Sequence, residues 1–116
     1  MITGVHAIMF TPDPDALRVF LRDVLELESV DAGGGWLIFA LPPSELAAHP
    51  SEEAGRHELY LMCDDIEATV QELRAKGAQF RGPIEEREYG RVIMMIVPGA
   101  DDMQLYQPSH KLAYNL

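Results

Sequence analysis

His6 and His57 each open an apolar, strand-like run, "HAIMF" and "HELYLM". A histidine at a strand start serves as a metal ligand, as a general base near neutral pH, or as a strand residue bonded to a backbone carbonyl. The residues alone leave these readings open. His49 stands beside Pro50 at the end of a short apolar stretch and is a reserve ligand, whereas His110 lies in the tail and reads as a surface residue. Cys63 is the single cysteine, so no internal disulfide forms; it sits where a strand meets a helix and reads as core. No other catalytic signature is present. There is no GxSxG, and "DAGGGW" lacks the strand-then-helix setting of a phosphate-binding loop.

The elements that must position these residues follow from hydrophobic period. "TGVHAIMF" reads as a strand. Leu17, Phe20, Leu21, Val24 and Leu25 then form one helical stripe, with Asp13 as N-cap and Pro14 at the first helical position. "DAGGG" (31–35) is a turn, "WLIFAL" (36–41) a strand, and "PPSELAAHP" holds a short strand ending at Pro50. After the polar connector "PSEEAG" the order restarts with "HELYLM". The helix "DDIEATVQELRAKG" follows, with Asp64 and Glu67 spaced as a capping box, Ile66, Val70 and Leu73 as its stripe, and Gly77 as its stop. "AQFRG", "RVIMMIV" (91–97) and "MQLYQP" (103–108) are three further strands.

The chain thus reads as strand–helix–three strands, twice. A step of 51 residues carries His6 to His57 and Asp13 to Asp64, which predicts two copies of one supersecondary unit. At 116 residues the chain suits a single α+β domain, 1–116, with units of about residues 3–50 and 56–108. Nineteen acidic against nine basic residues give a net charge of −10, which opposes binding to nucleic acid or to an anionic membrane surface. "MITGVHAIMF" has neither a basic leader nor a long apolar run, so a cytoplasmic protein is the expectation.

"GVHAIMF", "FLRDVLELESV", "HELYLMCDDIEATVQELRAKGAQF" and "PGADDMQLYQP", in this order and spacing, resemble the vicinal-oxygen-chelate superfamily of glyoxalases, bleomycin resistance proteins and extradiol dioxygenases. The resemblance spans residues 3–108 and implies two tandem βαβββ units forming a cupped mixed β-sheet with helices on the outside. It implies a divalent metal (Fe, Mn, Zn or Ni) held by His6 and His57 from the first strands and Gln104 from the last. Tyr106, two residues beyond Gln104 on one strand face, is then a candidate proton donor or weak acid. Leu46, in the matching place of the first unit, cannot bind a metal, which leaves a three-ligand pattern like that of the dioxygenases.

Two residues depart from the family pattern. Gln104 stands where a Glu is usual, and a neutral amide gives up the carboxylate's charge offset at a metal. Glu26 stands where the helix commonly ends in Gly. The resemblance therefore implies either a small metal-dependent enzyme, dioxygenase-like or glyoxalase-like, acting on a substrate with adjacent oxygens, or a metal-free protein that sequesters a small molecule as bleomycin resistance proteins do. A homodimer is the expected assembly in both cases.

Overall fold

The two helices start alike and end alike, but they are not the same length. In the computed structural model, which describes residues 7–9, 11–45, 50, 52 and 57–111, Asp13 accepts from the Ala16 N–H at 3.1 Å and starts α1, Pro14–Val19. Asp65 accepts from the Ala68 N–H, also at 3.1 Å, and starts α2, Ile66–Ala75. The second N-cap is therefore Asp65, one residue after the Asp64 that the capping-box spacing suggests. The reason is tertiary. Ile66, fully buried, must begin the apolar stripe at the first helical position, and its N–H is taken by the Gln107 side chain at 2.8 Å.

α1 runs on into a π-helical turn, Phe20–Val24, where the Leu25 N–H reaches back five residues to the Phe20 carbonyl at 3.1 Å. Both helices finish on a left-handed residue, Glu26 (φ 56) in the first and Gly77 (φ 97) in the second. Measured between the N-caps the units are 52 residues apart, and measured between the left-handed ends they are 51 apart. The π-turn absorbs the one extra residue of the first helix, as such turns do.

Four strands make the main sheet, in the order β3-β6-β5-β4: β3 is Tyr60–Met62, β4 is Gln79–Arg87, β5 is Gly90–Ile96 and β6 is Met103–Pro108. β3 lies parallel to β6; the other two pairings are antiparallel. β4 is longer than "AQFRG" suggests, because the chain passes through Gly82-Pro83 with a register shift between Arg81 and Glu85 and then resumes pairing. A separate antiparallel pair, β1 (Ser29–Asp31) with β2 (Leu37–Phe39), flanks the Gly33–Gly35 turn; β1 is a strand the sequence pattern does not announce. The expected strand over 3–10 and the expected short strand before Pro50 lie largely outside the described residues; residues 7–9 and 41–45 form no strand.

One face of the main sheet carries the core. Ile93, Met95, Val97, Met103 and Leu105 meet Ile66, Val70 and Leu73 of α2, and Leu17 and Phe20 of the first helix join the same cluster. Burying each such side chain contributes roughly 1.5–3 kcal/mol. Gly99 (φ 78) fastens the first helix to this sheet; a Cβ there would stand 2.7 Å from the Asp13 carbonyl oxygen.

Glu26 holds its left-handed backbone without glycine's freedom, and its carboxylate pairs with Lys76 at the end of α2, 2.9 Å away. Both Glu26→Gly and Glu26→Ala remove this exposed pair, but only the first relieves the backbone. Urea unfolding should find Glu26→Gly more stable than Glu26→Ala by about 1 kcal/mol. Equal stabilities would mean that the left-handed turn carries no cost.

Candidate functional site

The period of two in a strand sends alternate residues of β6 to opposite faces. Met103 and Leu105 face α2, so Gln104 and Tyr106 face the other way. Register then assembles the open face. Tyr60 stands opposite Gln104, and Met94 and Arg81 continue the same row; Met62, Tyr106, Val92 and Glu85 make the next. A cavity of about 310 Å³ lies on this face, lined among others by Arg81, Glu85, Arg87, Tyr89, Met94 and Gln104.

Tyr106 is the hub of the aromatic part. Its ring meets Tyr60 and Tyr89 edge-on, both at 5.8 Å between centroids, and His110 at 5.9 Å. Its hydroxyl donates to the Tyr89 carbonyl at 3.0 Å, and the Ser109 N–H donates to the same oxygen at 2.9 Å. Together these bonds pin the β4–β5 hairpin end onto the end of β6. Gly90 permits that closure, since a Cβ there would collide with the Gln107 carbonyl and stand 2.8 Å from the Tyr106 ring.

The phenols are tuned upward. Burial raises the Tyr60 pKa first, and the nearby Glu58 carboxylate adds to the shift. Burial likewise raises Tyr106, with the charges of Glu45 and Tyr89 adding to it. At neutral pH both phenols stay protonated, which makes them donors and aromatic walls and not bases. Glu45 also lies 4.0 Å from the His110 imidazole. Cys63 packs against the core, its thiol raised chiefly by burial.

Of the residues expected at the site, Gln104 and Tyr106 lie where the open face is built. His57 is exposed and lies three residues before β3, outside the residues whose register with β6 places Gln104. His6, Leu46 and His49 fall outside the described residues. Among the described residues no group of three or more His, Cys, Asp or Glu could hold a metal. Trp36 is not on this face; it is 66% exposed, with the Arg18 guanidinium 5.2 Å above its ring.

Sequence reasoning missed Glu58, Tyr60, Tyr89 and Glu45. The alternation that put Tyr106 beside Gln104 would have put Glu58 and Tyr60 on one face. Tyr89, Glu45 and His110 come together only through the hairpin closure, which leaves no local signal.

No curated protein sequence matches this chain significantly. Among solved structures it is similar to an antibiotic-binding protein from Streptomyces, TnmS3, at 23% identity and a TM-score of 0.67, covering 93% of this chain and 98% of that one. It is also similar to a glyoxalase/bleomycin resistance protein/dioxygenase from Nocardioides (17% identity, TM-score 0.61, covering 97% and 93%). A third similar structure is the fosfomycin resistance protein FosX of Listeria monocytogenes (17% identity, TM-score 0.60, covering 100% of both chains). These likenesses describe the fold. The profile of one family matches residues 4–104, nearly the whole length, and on that match the chain belongs to the Glyoxalase/Bleomycin resistance protein/Dioxygenase superfamily.

Proposed function

We propose that this protein binds a small organic molecule on the open face of the β3-β6-β5-β4 sheet and sequesters it without a metal. The observation that carries the reading is the Tyr60–Tyr106–Tyr89 array beside a cavity of about 310 Å³. That volume sits at the small end of the range for drug-sized ligands. Tyr89, Val92 and Met94 supply apolar contact area to the cavity, Gln104 and Arg81 supply polar groups, and Tyr60 and Tyr106 stand beside it as further aromatic surface. The antibiotic-binding protein from Streptomyces, with the same fold, lends the reading support.

The metal-dependent reading, dioxygenase-like or glyoxalase-like, needs His6, His57 and Gln104 to converge. Gln104 lining the cavity favours it; the position of His57, exposed and three residues outside β3, does not add to it. No step through a metal follows from the described residues. Partners on the binding reading are the small molecule itself and, as the superfamily resemblance implies, a second copy of the chain. No helix among the described residues is long and apolar enough to cross a membrane.

Thermal melting with EDTA present separates the two readings. A ligand such as 1-naphthalenemethanol at a hundredfold excess over its Kd should stabilise the protein by about 2.7 kcal/mol, a rise of roughly 10 °C for a chain of this size. The reading fails if the rise needs Zn(II), Mn(II), Ni(II) or Fe(II), or if desalted protein keeps about one equivalent of metal that Gln104→Ala releases. A second test concerns Tyr106. Tyr106→Phe keeps the ring and leaves the Tyr89 carbonyl its bond from Ser109, so it should cost only about 1 kcal/mol in urea unfolding. Unchanged stability with lost ligand binding would assign the hydroxyl to the bound molecule instead of to Tyr89.

A further inference from the structure

Two arginines of β4 line the cavity, and they are held differently. Arg87 lies at the hairpin end, opposite Gly90. Its guanidinium folds back along its own strand, onto the Glu85 carboxylate and the Glu86 carbonyl, the latter at 3.2 Å. Arg87 and Glu85 are both about half exposed, and such a local, solvated pair fixes little. Arg81 instead reaches another segment of the chain. Its Nε and Nη2 both donate to the carboxylate of Asp102, the residue before β6, the second at 3.4 Å. The Asp102 side chain is only 28% exposed. Two parallel N–H···O bonds to a mostly covered carboxylate set the plane of the guanidinium.

That pairing leaves Arg81 with donors to spare. A guanidinium has five N–H groups and no acceptor. Asp102 takes one from Nε and one from Nη2; the others have no partner among the described residues, in a side chain that is 61% exposed and lines the cavity. The strand row supplies the remaining parts. Phe80 packs against the core, so Arg81 stands on the open face, opposite Met94, which is in turn opposite Gln104. Arg81 and Gln104 are two strands apart, about 10 Å at the backbone. Met94 forms an apolar floor between them, and Val92 and Tyr89 extend it. A flat aromatic body fits such a floor, with a polar group at its edge meeting Arg81.

Charge decides which polar group that is. The spare hydrogens require an acceptor. A carboxylate would meet the Asp102 carboxylate already seated on the same guanidinium and Glu85 on the same cavity wall, in a chain of net charge −10. Like charges this close repel. A carbonyl oxygen takes the spare N–H groups without that repulsion.

We infer that Arg81 is the specificity-determining residue of this site, positioned by Asp102, and that it selects a neutral aromatic molecule with a carbonyl oxygen at its edge. The inference rests on the binding function proposed above and names the chemistry of its ligand.

Three probes with one ring system test it: 1-acetylnaphthalene, 1-ethylnaphthalene and 1-naphthoate, titrated into the isotope-labelled full chain with EDTA present and followed by nuclear magnetic resonance. Arg81→Met should weaken the ketone about tenfold more than the hydrocarbon, a difference of about 1.4 kcal/mol. Continued binding of the hydrocarbon shows that the variant is folded. Arg87→Met should cost the ketone less than Arg81→Met does. The naphthoate should bind the native protein more weakly than the ketone, and Asp102→Ala, which leaves the guanidinium unpaired, should reverse that order. If Arg81→Met weakens ketone and hydrocarbon alike, or Arg87→Met costs the ketone more, the assignment to Arg81 is wrong while the binding site stands. Naphthoate binding as tightly as the ketone would overturn the neutral class. If Asp102→Ala weakens all three probes alike, Asp102 is merely structural and the positioning role falls. If none of the three binds, the site and the inference fall together.

Discussion

The open face depends on the parallel pairing of β3 with β6. Tyr60 opposite Gln104, and Met62 opposite Tyr106, fix which side chains look away from α2. A parallel pair needs a long connection to bring the second strand back alongside the first. Here that connection comprises α2, β4 and β5, so the whole second unit closes on itself. The hydrogen bond from the Ile66 N–H to the Gln107 side chain ties the start of α2 to the end of β6. The Cys63 N–H, bonded to the Tyr106 carbonyl at 2.9 Å, extends the pairing by one residue. The core side of this arrangement is apolar: Met95 and Ile66 are fully buried. A slip of β3 by one residue would expose Leu61 and turn Tyr60 and Met62 toward α2, at a cost of several kcal/mol in lost burial and a desolvated hydroxyl. The site is therefore as rigid in register as the core beneath it.

The first unit obeys the same plan under a different local constraint. Its helix must present Leu17 and Phe20 to the shared core and still end where Glu26 meets Lys76 of the second helix. One residue too many lies between those fixed points. A π-turn takes it up where a loop would have loosened the helix end, and Glu26 accepts a conformation that glycine would adopt without strain. The Lys76 ammonium, its pKa raised chiefly by the bond to Glu26, offsets some of that cost; both groups are partly solvated, so the offset is small.

This local accommodation also sets what the sequence can and cannot disclose. The last strand is legible to the residue, because "MQLYQP" alternates cleanly and Pro108 stops it. The helical stripes are legible too, since Leu17, Phe20, Ile66, Val70 and Leu73 keep their period and all are buried. The correspondence between the units is legible only to within one residue. "DD" at 64–65 offers two N-caps of equal chemistry, and nothing in the composition of "VFLRDVLELES" announces a π-turn. In a helix such an ambiguity rotates a side chain by about 100°; in the strand just before it, the same ambiguity reverses the face. β1 and the long β4 were illegible for another reason: a three-residue strand rests on its partner, and Gly82-Pro83 reads locally as a stop although the ladder resumes beyond it.

Tyr106 shows why position on a site does not settle a residue's role. Its place two residues from Gln104 gave it the look of a proton donor. The ring does stand at the centre of the site, but the hydroxyl is committed to a backbone carbonyl that a second donor also uses. Burial and the charge of Glu45 keep the phenol protonated, so the bond to Tyr89 is not weakened by ionisation near neutral pH. On the proposed binding role, Tyr106 contributes its ring, held at a fixed angle between Tyr60 and Tyr89. A ring fixed in this way loses little conformational freedom when a ligand arrives, so contact with it costs less entropy than contact with a mobile side chain. The hydrogen bond to the Tyr89 carbonyl thus holds the ring at the angle on which the proposed binding role relies.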